Sequence, residues 1–181
     1  MDVIDMHRRA ADQFGAHVER VGAGQWELPT PCTEWDVRAL VDHVVANHRR
    51  MAGLLHGRPF EALDEEPDRS WTAVAAAVRS GFTLPGALDR TAPSPFGGDG
   101  PITGLIFILT ADLTTHTWDL TRATGADETL DAELVAALLP GIERAQPVMT
   151  ASGKFAPPVP VPDAAGPQQR LLGLLGRRMR P

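Results

Sequence analysis

A single cysteine, Cys32, occurs in the 181 residues, which excludes an intrachain disulfide and any zinc site built from several thiolates. A metal held by this chain would have to draw on imidazole nitrogens and carboxylate oxygens. Clustered positive charge is equally sparse. The formal charge is −6, and the one run of like cations is Arg177, Arg178 and Arg180 near the C-terminus, read here as a solvated end. Phosphate binding needs clustered basic charge, so nucleic acid is not expected as a partner. No apolar run approaches the roughly 20 residues that a membrane-spanning helix requires, so no membrane is expected either. The opening stretch MDVIDMHRRAADQF lacks the apolar core of a secretory signal, carrying Asp2, Asp5, Arg8, Arg9 and Asp12 where that core would lie. The expected compartment is the cytoplasm.

What is present is an ordinary globular balance, 43% hydrophobic and 22% charged, enough for one domain over residues 1–181 to bury its own core. Ala11, Phe14, Val18 and Val21 fall on one face of a helix expected over about 2 to 21. The prolines of GQWELPTPCTEW force an extended approach, and Thr33 with Asp36 forms a T-x-x-D capping box for a second helix, about 34 to 56. Its stripe is Val37, Leu40, Val41, Val44, Met51 and Leu55, with Gly57 and Pro59 as the stop. After the polar EALDEEPD, a third helix spans about 69 to 80, followed by a long ordered loop, TLPGALDRTAPSPFGGDGP. A fourth helix covers about 102 to 124. A fifth, about 131 to 148, contains Pro140, which should kink or divide it. The tail KFAPPVPVPD reads as extended, and Pro167 opens a last short helix. No alternating strand pattern occurs, so the expected class is all-α, with four helices long enough for a bundle.

The fourth helix carries the chemistry. At 100° per residue, Leu105, Leu109, Asp112, His116, Leu120 and Ala123 share one narrow stripe, so a carboxylate and an imidazole interrupt an apolar face. Burying an unpaired carboxylate is costly, and the i, i+4 spacing brings both heads close enough either to share a cation or to form an Asp–His hydrogen bond. The second helix offers two further histidines. His48 lies near the centre of its stripe and His43 at the edge beside Asn47, so periodicity slightly favours His48.

The strings PTPCTEWDVRALVDHVVAN and DLTTHTWDLTRATG, with FAPPVPVPD and RLLGLLGR after them, resemble the actinobacterial metal-binding proteins related to the N-terminal domain of mycothiol-dependent maleylpyruvate isomerase, in the DinB-like superfamily. The likeness runs along nearly the whole chain. It implies a DinB-like four-helix bundle with additional short helices and a Pro-rich C-terminal segment. It also implies a metal held by His43, Asp112 and His116, with His48 matching no ligand, and mycothiol as the thiol. The isomerase has glutamate at the position of Asp112, one methylene longer.

Two imidazoles and one carboxylate leave positions open for water or a thiolate, as in catalytic zinc and non-haem iron sites. Zinc is the expected ion, although nickel, iron and manganese suit the same set. Asp119, near the ligand stripe, would orient a ligand histidine or sit as a surface aspartate. Cys32 and the four tryptophans read as packing or pocket-wall residues, and His7, His17 and His56 find no partner at useful spacing.

Three functions remain open from the sequence. One is a metal-dependent thiol transferase or isomerase acting on a small electrophile, another a metal-stapled binding or structural protein, and the third a partner-binding bundle with an incidental Asp–His pair. An open site beside a cleft favours the first; closure by a fourth ligand such as His48 favours the second. Oligomeric state, a homodimer included, is not encoded in these patterns.

Overall fold

In the computed structural model, which describes residues 1–61, 66–153 and 156–179, six α-helices dominate. They are α1 (Val3–Val18), α2 (Val37–His56), α3 (Pro67–Gly81), α4 (Ile102–Thr124), α5 (Ala132–Ala151) and α6 (Pro167–Leu174). Helix α1 packs on α4, α2 on both α3 and α4, and α1 also on α3, which closes a four-helix bundle; α5 and α6 pair with each other, and α5 leans on α1. The all-α bundle and its short additional helices agree with the sequence pattern. The stripes of α1 and α2 face inward, Phe14, Val18, Leu40, Val44 and Leu55 all being buried.

Several boundaries differ for identifiable reasons. Helix α1 stops at Val18, before Val21, and a 3-10 turn follows at Ala23–Gln25. Helix α2 begins later than expected because Asp36, and not Thr33, is its cap, the carboxylate accepting from Ala39 N. Residues 29 to 36 instead form a closed loop, joined by a Pro29–Asp36 bridge and by Thr30 N donating to Trp35 O at 3.1 Å. Pro67 starts α3 at its first turn, where the missing N–H has no helical partner to lose. Within the expected 83–101 loop, β1 (Thr91–Pro93) pairs antiparallel with β2 (Asp99–Pro101), Ala92 facing Gly100. Three-residue strands built on Pro and Gly carry no alternation for a sequence reading to find. Pro140 does not divide α5, which also accommodates Pro147. Lys154, Phe155, Arg180 and the centre of EALDEEPD lie outside the described residues.

Helix α4 is buried on nearly every side from Leu105 to Thr121, not along one stripe. Its threonines make this tolerable. Thr110, Thr114, Thr115 and Thr117 each donate the hydroxyl to the carbonyl four residues back at 2.7 to 2.9 Å, so only their methyl groups face the neighbours. The central helix can then hold a few polar heads that are not spent on its own backbone.

Candidate metal centre

Asp112 and His116, one turn apart on α4, face His43 of α2 across the α2–α4 contact. Asp112 Oδ1 is 3.4 Å from His116 Nε2, and Oδ2 is 3.6 Å from His43 Nε2. One ligand atom from each residue lies within 4.8 Å of the other two. The rings of His43 and His116 meet edge to face with centroids 5.1 Å apart, and Trp35 packs on both. Asn47 Nδ2 donates to His43 Nε2 at 3.0 Å and to Asp112 Oδ2 at 3.1 Å. No periodicity marks this shared amide, although Asn47 stands one turn from His43.

The tautomers follow from the surroundings. His116 Nδ1–H donates to Asp119 Oδ2 at 3.0 Å, so in the neutral ring Nε2 carries a lone pair aimed at the Asp112 carboxylate. His43 Nε2, accepting from Asn47, likewise offers a lone pair. Two imidazole lone pairs and a carboxylate therefore converge: the Asn47 amide bridges His43 and Asp112, whereas His116 Nε2 faces Asp112 Oδ1 repulsively until a proton or a metal ion enters. With a proton as the only cation, burial opposes ionisation of His116, but the Asp112 carboxylate outweighs it and holds His116 well above its ordinary value. Burial also works against an ionised Asp112, yet His116 and His43 hold it below the usual carboxylate range.

A buried network supports His116 from behind. Asp119 is fully buried, and Arg177 Nη2 and Nε donate to its two oxygens at 2.7 and 3.2 Å. Arg177 Nη2 also lies 3.0 Å from Cys32 Sγ, which is 3.4 Å from Asp119 Oδ2. Arg177 is therefore no solvated end: its side chain is 15% exposed, because an uncompensated buried Asp119 needs a cation. Of the two described arginines of that run, Arg177 and Arg178, only Arg178 is exposed. Cys32 is half-buried in the wall of a cavity of about 420 Å³ that opens beside the three candidate ligands and is lined also by Glu34, Trp35, Ala156 and Leu175.

His48 is not part of this cluster. It is fully buried, its Nδ1–H donating to Val44 O at 2.8 Å and its Nε2 lying 3.2 Å from His7 Nε2. His7 thus has a partner that sequence spacing does not reveal, because the pair joins two helices 41 positions apart. His56 also has one, Ala77 O at 2.9 Å.

The profile of the mycothiol maleylpyruvate isomerase N-terminal domain matches residues 7–66. Two uncharacterised proteins of Mycobacterium tuberculosis, from strains CDC 1551 and H37Rv, are each 35% identical to this chain, covering 99% of it and all of their own length. The crystal structure of the mycothiol-dependent maleylpyruvate isomerase superposes with a TM-score of 0.57 over 77% of this chain and 68% of that one, at 13% identity, a likeness of fold. With the full-length relatives and the matched domain in agreement, the chain belongs to the mycothiol maleylpyruvate isomerase N-terminal domain family, alongside its mycobacterial relatives.

Proposed function

We propose that His43, Asp112 and His116 hold one divalent cation, zinc in the first instance, and that the protein uses it to present a thiol, mycothiol, to a small electrophile in the adjoining cavity. The convergence of two imidazole lone pairs on one half-buried carboxylate carries this reading, since that donor set suits Zn²⁺, Fe²⁺, Ni²⁺ or Mn²⁺. A metal ion held there lowers the pKa of a coordinated thiol and so keeps a nucleophilic thiolate at neutral pH. The chain's own residues supply orientation: Asp119 fixes the His116 tautomer, Trp35 backs both rings, and Asn47, whose hydrogen bond to His43 Nε2 a metal would displace, still donates to Asp112 Oδ2. The thiol and the electrophile are proposed on family membership together with the open cavity.

A non-catalytic metal staple is the second reading, and it calls for a closed site. His48, the natural fourth ligand, is instead spent on Val44 and His7, and the cluster borders a cavity, which favours the catalytic reading. Metal content by plasma mass spectrometry tests it. Wild type and His17→Ala should carry near-stoichiometric metal, and His43→Ala and His116→Ala should lose it while remaining folded. A cobalt-substituted sample should then gain a sulfur-to-metal charge-transfer band when mycothiol is added. Wild-type protein that takes up no metal on titration sinks the site, whereas metal without a thiol band leaves the staple.

A further inference from the structure

Cys32, Thr33, Ala156 and Arg177 line a second cavity as well as the first. This one encloses about 930 Å³, within the range of sites that take small molecules. It lies between the loop before α2, the last turns of α4 and the segment after α6. Leu28, Pro31 and Met179 give it apolar surface over the buried Trp118, while Arg122, Arg177 and Arg178 all stand on its wall. Among the described residues no aspartate or glutamate lines it, although acidic residues outnumber basic ones in the chain, 23 to 17.

The wall holds unspent donors and no unspent carboxylate. Arg122 is fixed over the Trp118 ring, 5.0 Å from its centroid, and gives only Nη1–H to Glu128 at 2.9 Å, leaving the rest of its five N–H groups available. Arg178 is exposed and makes no hydrogen bond or ion pair with a described residue. Trp118 is 1% exposed, and among the described residues its buried Nε1–H has no hydrogen-bond partner, so its indole signal is free to report on a change in the neighbouring wall. An apolar cleft edged by guanidinium forks fits a ligand that is apolar along its body and anionic and planar at one end.

We propose that this second cavity binds a small organic acid, its carboxylate taken by Arg178 and by Arg122, which lies over the buried Trp118 ring, and its apolar body laid against Leu28, Pro31 and Met179. The site requires neither the metal nor the thiol of the first cavity.

Four tryptophans give four indole N–H signals in a ¹⁵N spectrum, and Trp118→Phe assigns the relevant one. Titration with 2-naphthoate should move the Trp118 signal saturably. The neutral isostere 2-naphthamide should bind about tenfold more weakly or worse, in line with loss of a charge-assisted hydrogen bond. Arg178→Ala, a change at an exposed side chain with no partner among the described residues, should reduce naphthoate to the level of naphthamide, and excess EDTA should change nothing. The proposal is overturned if acid and amide bind alike, if Arg178→Ala binds as wild type, or if no Trp118 shift appears. Shifts confined to Trp35, or abolished by EDTA, would place the acid in the metal cavity and overturn it as well. Because the readout needs no metal, its failure and that of the metal site are separable.

Discussion

Arg177 grips Asp119 at two points, Nη2 to Oδ2 at 2.7 Å and Nε to Oδ1 at 3.2 Å, and so ties the segment after α6 to the C-terminal part of α4. Neither partner has much solvent to fall back on, Asp119 being fully buried and Arg177 only 15% exposed. Arg177→Met should therefore leave the buried carboxylate with His116 as its one remaining cationic partner among the described residues and cost about 3–5 kcal/mol, read from urea unfolding at pH 7. Arg177→Lys should recover only part of this, because one ammonium cannot reproduce the fork. A wild-type midpoint for Arg177→Met would mean that Asp119 is neutral in the folded protein.

The same aspartate accepts the His116 Nδ1–H, and its charge makes the opposite ring nitrogen a better donor. Asp119→Asn keeps an acceptor of nearly the same shape but removes that charge. Zinc affinity, measured by competition with a chromophoric chelator, should fall about 10- to 100-fold, with stoichiometry unchanged. An unaltered affinity would show that α4 alone orients His116.

His7 and His48 form a second buried relationship, Nε2 to Nε2 at 3.2 Å, with His48 also packed on Trp71 and His7 on Phe82. Since His48 gives its Nδ1–H to Val44 O, its Nε2 accepts and His7 Nε2–H donates. Burial, followed by the mutual repulsion of the two rings and by Arg79, pushes His7 down to about 3; burial pushes His48 down to about 4 against the opposing Val44 hydrogen bond. Both folded values lie below the unfolded 6.5, so the unfolded chain binds more protons between them. Stability from this pair is complete above about pH 6.5 and is lost as pH falls toward about 4, each imidazole removing roughly 1.4 kcal/mol for every tenfold rise in proton concentration across that window. Urea midpoints taken from pH 7.5 to 4.5 should fall steeply in wild type and much less in His7→Met/His48→Met, where no buried imidazole remains to be charged. Parallel slopes in the two proteins would assign the acid sensitivity to the carboxylates.

The helices are legible in the sequence because their stripes meet a core: Leu40, Val44 and Leu55 are spaced as they are buried. Asp112 and His116 are legible for the same reason, as polar heads interrupting an apolar row. Periodicity does not favour His43, since it sits at the edge of the α2–α4 contact, where a cavity leaves its side chain 31% exposed. It favours His48, which is a core residue. What no pattern carries is contact between distant segments. Arg177 reaching Asp119, and His7 reaching His48, are set by how α6 and α1 lie against the bundle. A helical wheel contains no such information.

Gly176 fixes how that last segment lies. Its φ of +78° is left-handed, and a Cβ there would stand 2.5 Å from Ala156 Cβ and 3.1 Å from Pro157 O, neither of which is the free end of a flexible side chain. The stretch it touches is anchored by Val159 N donating to Gly173 O at 2.8 Å, and Ala156 lines both cavities. Gly125, the left-handed cap of α4, has φ +72° with nothing within 4 Å of its missing Cβ, so it serves as a control that carries torsional strain alone. Gly125→Ala should cost about 1 kcal/mol from the backbone conformation. Gly176→Ala should cost about 1–3 kcal/mol more, because the segment at Ala156 must also move aside. Thermal unfolding of the two variants measures the difference. Equal losses would mean that the contact with Ala156 is loose and that the C-terminal segment does not hold the cavity walls in place.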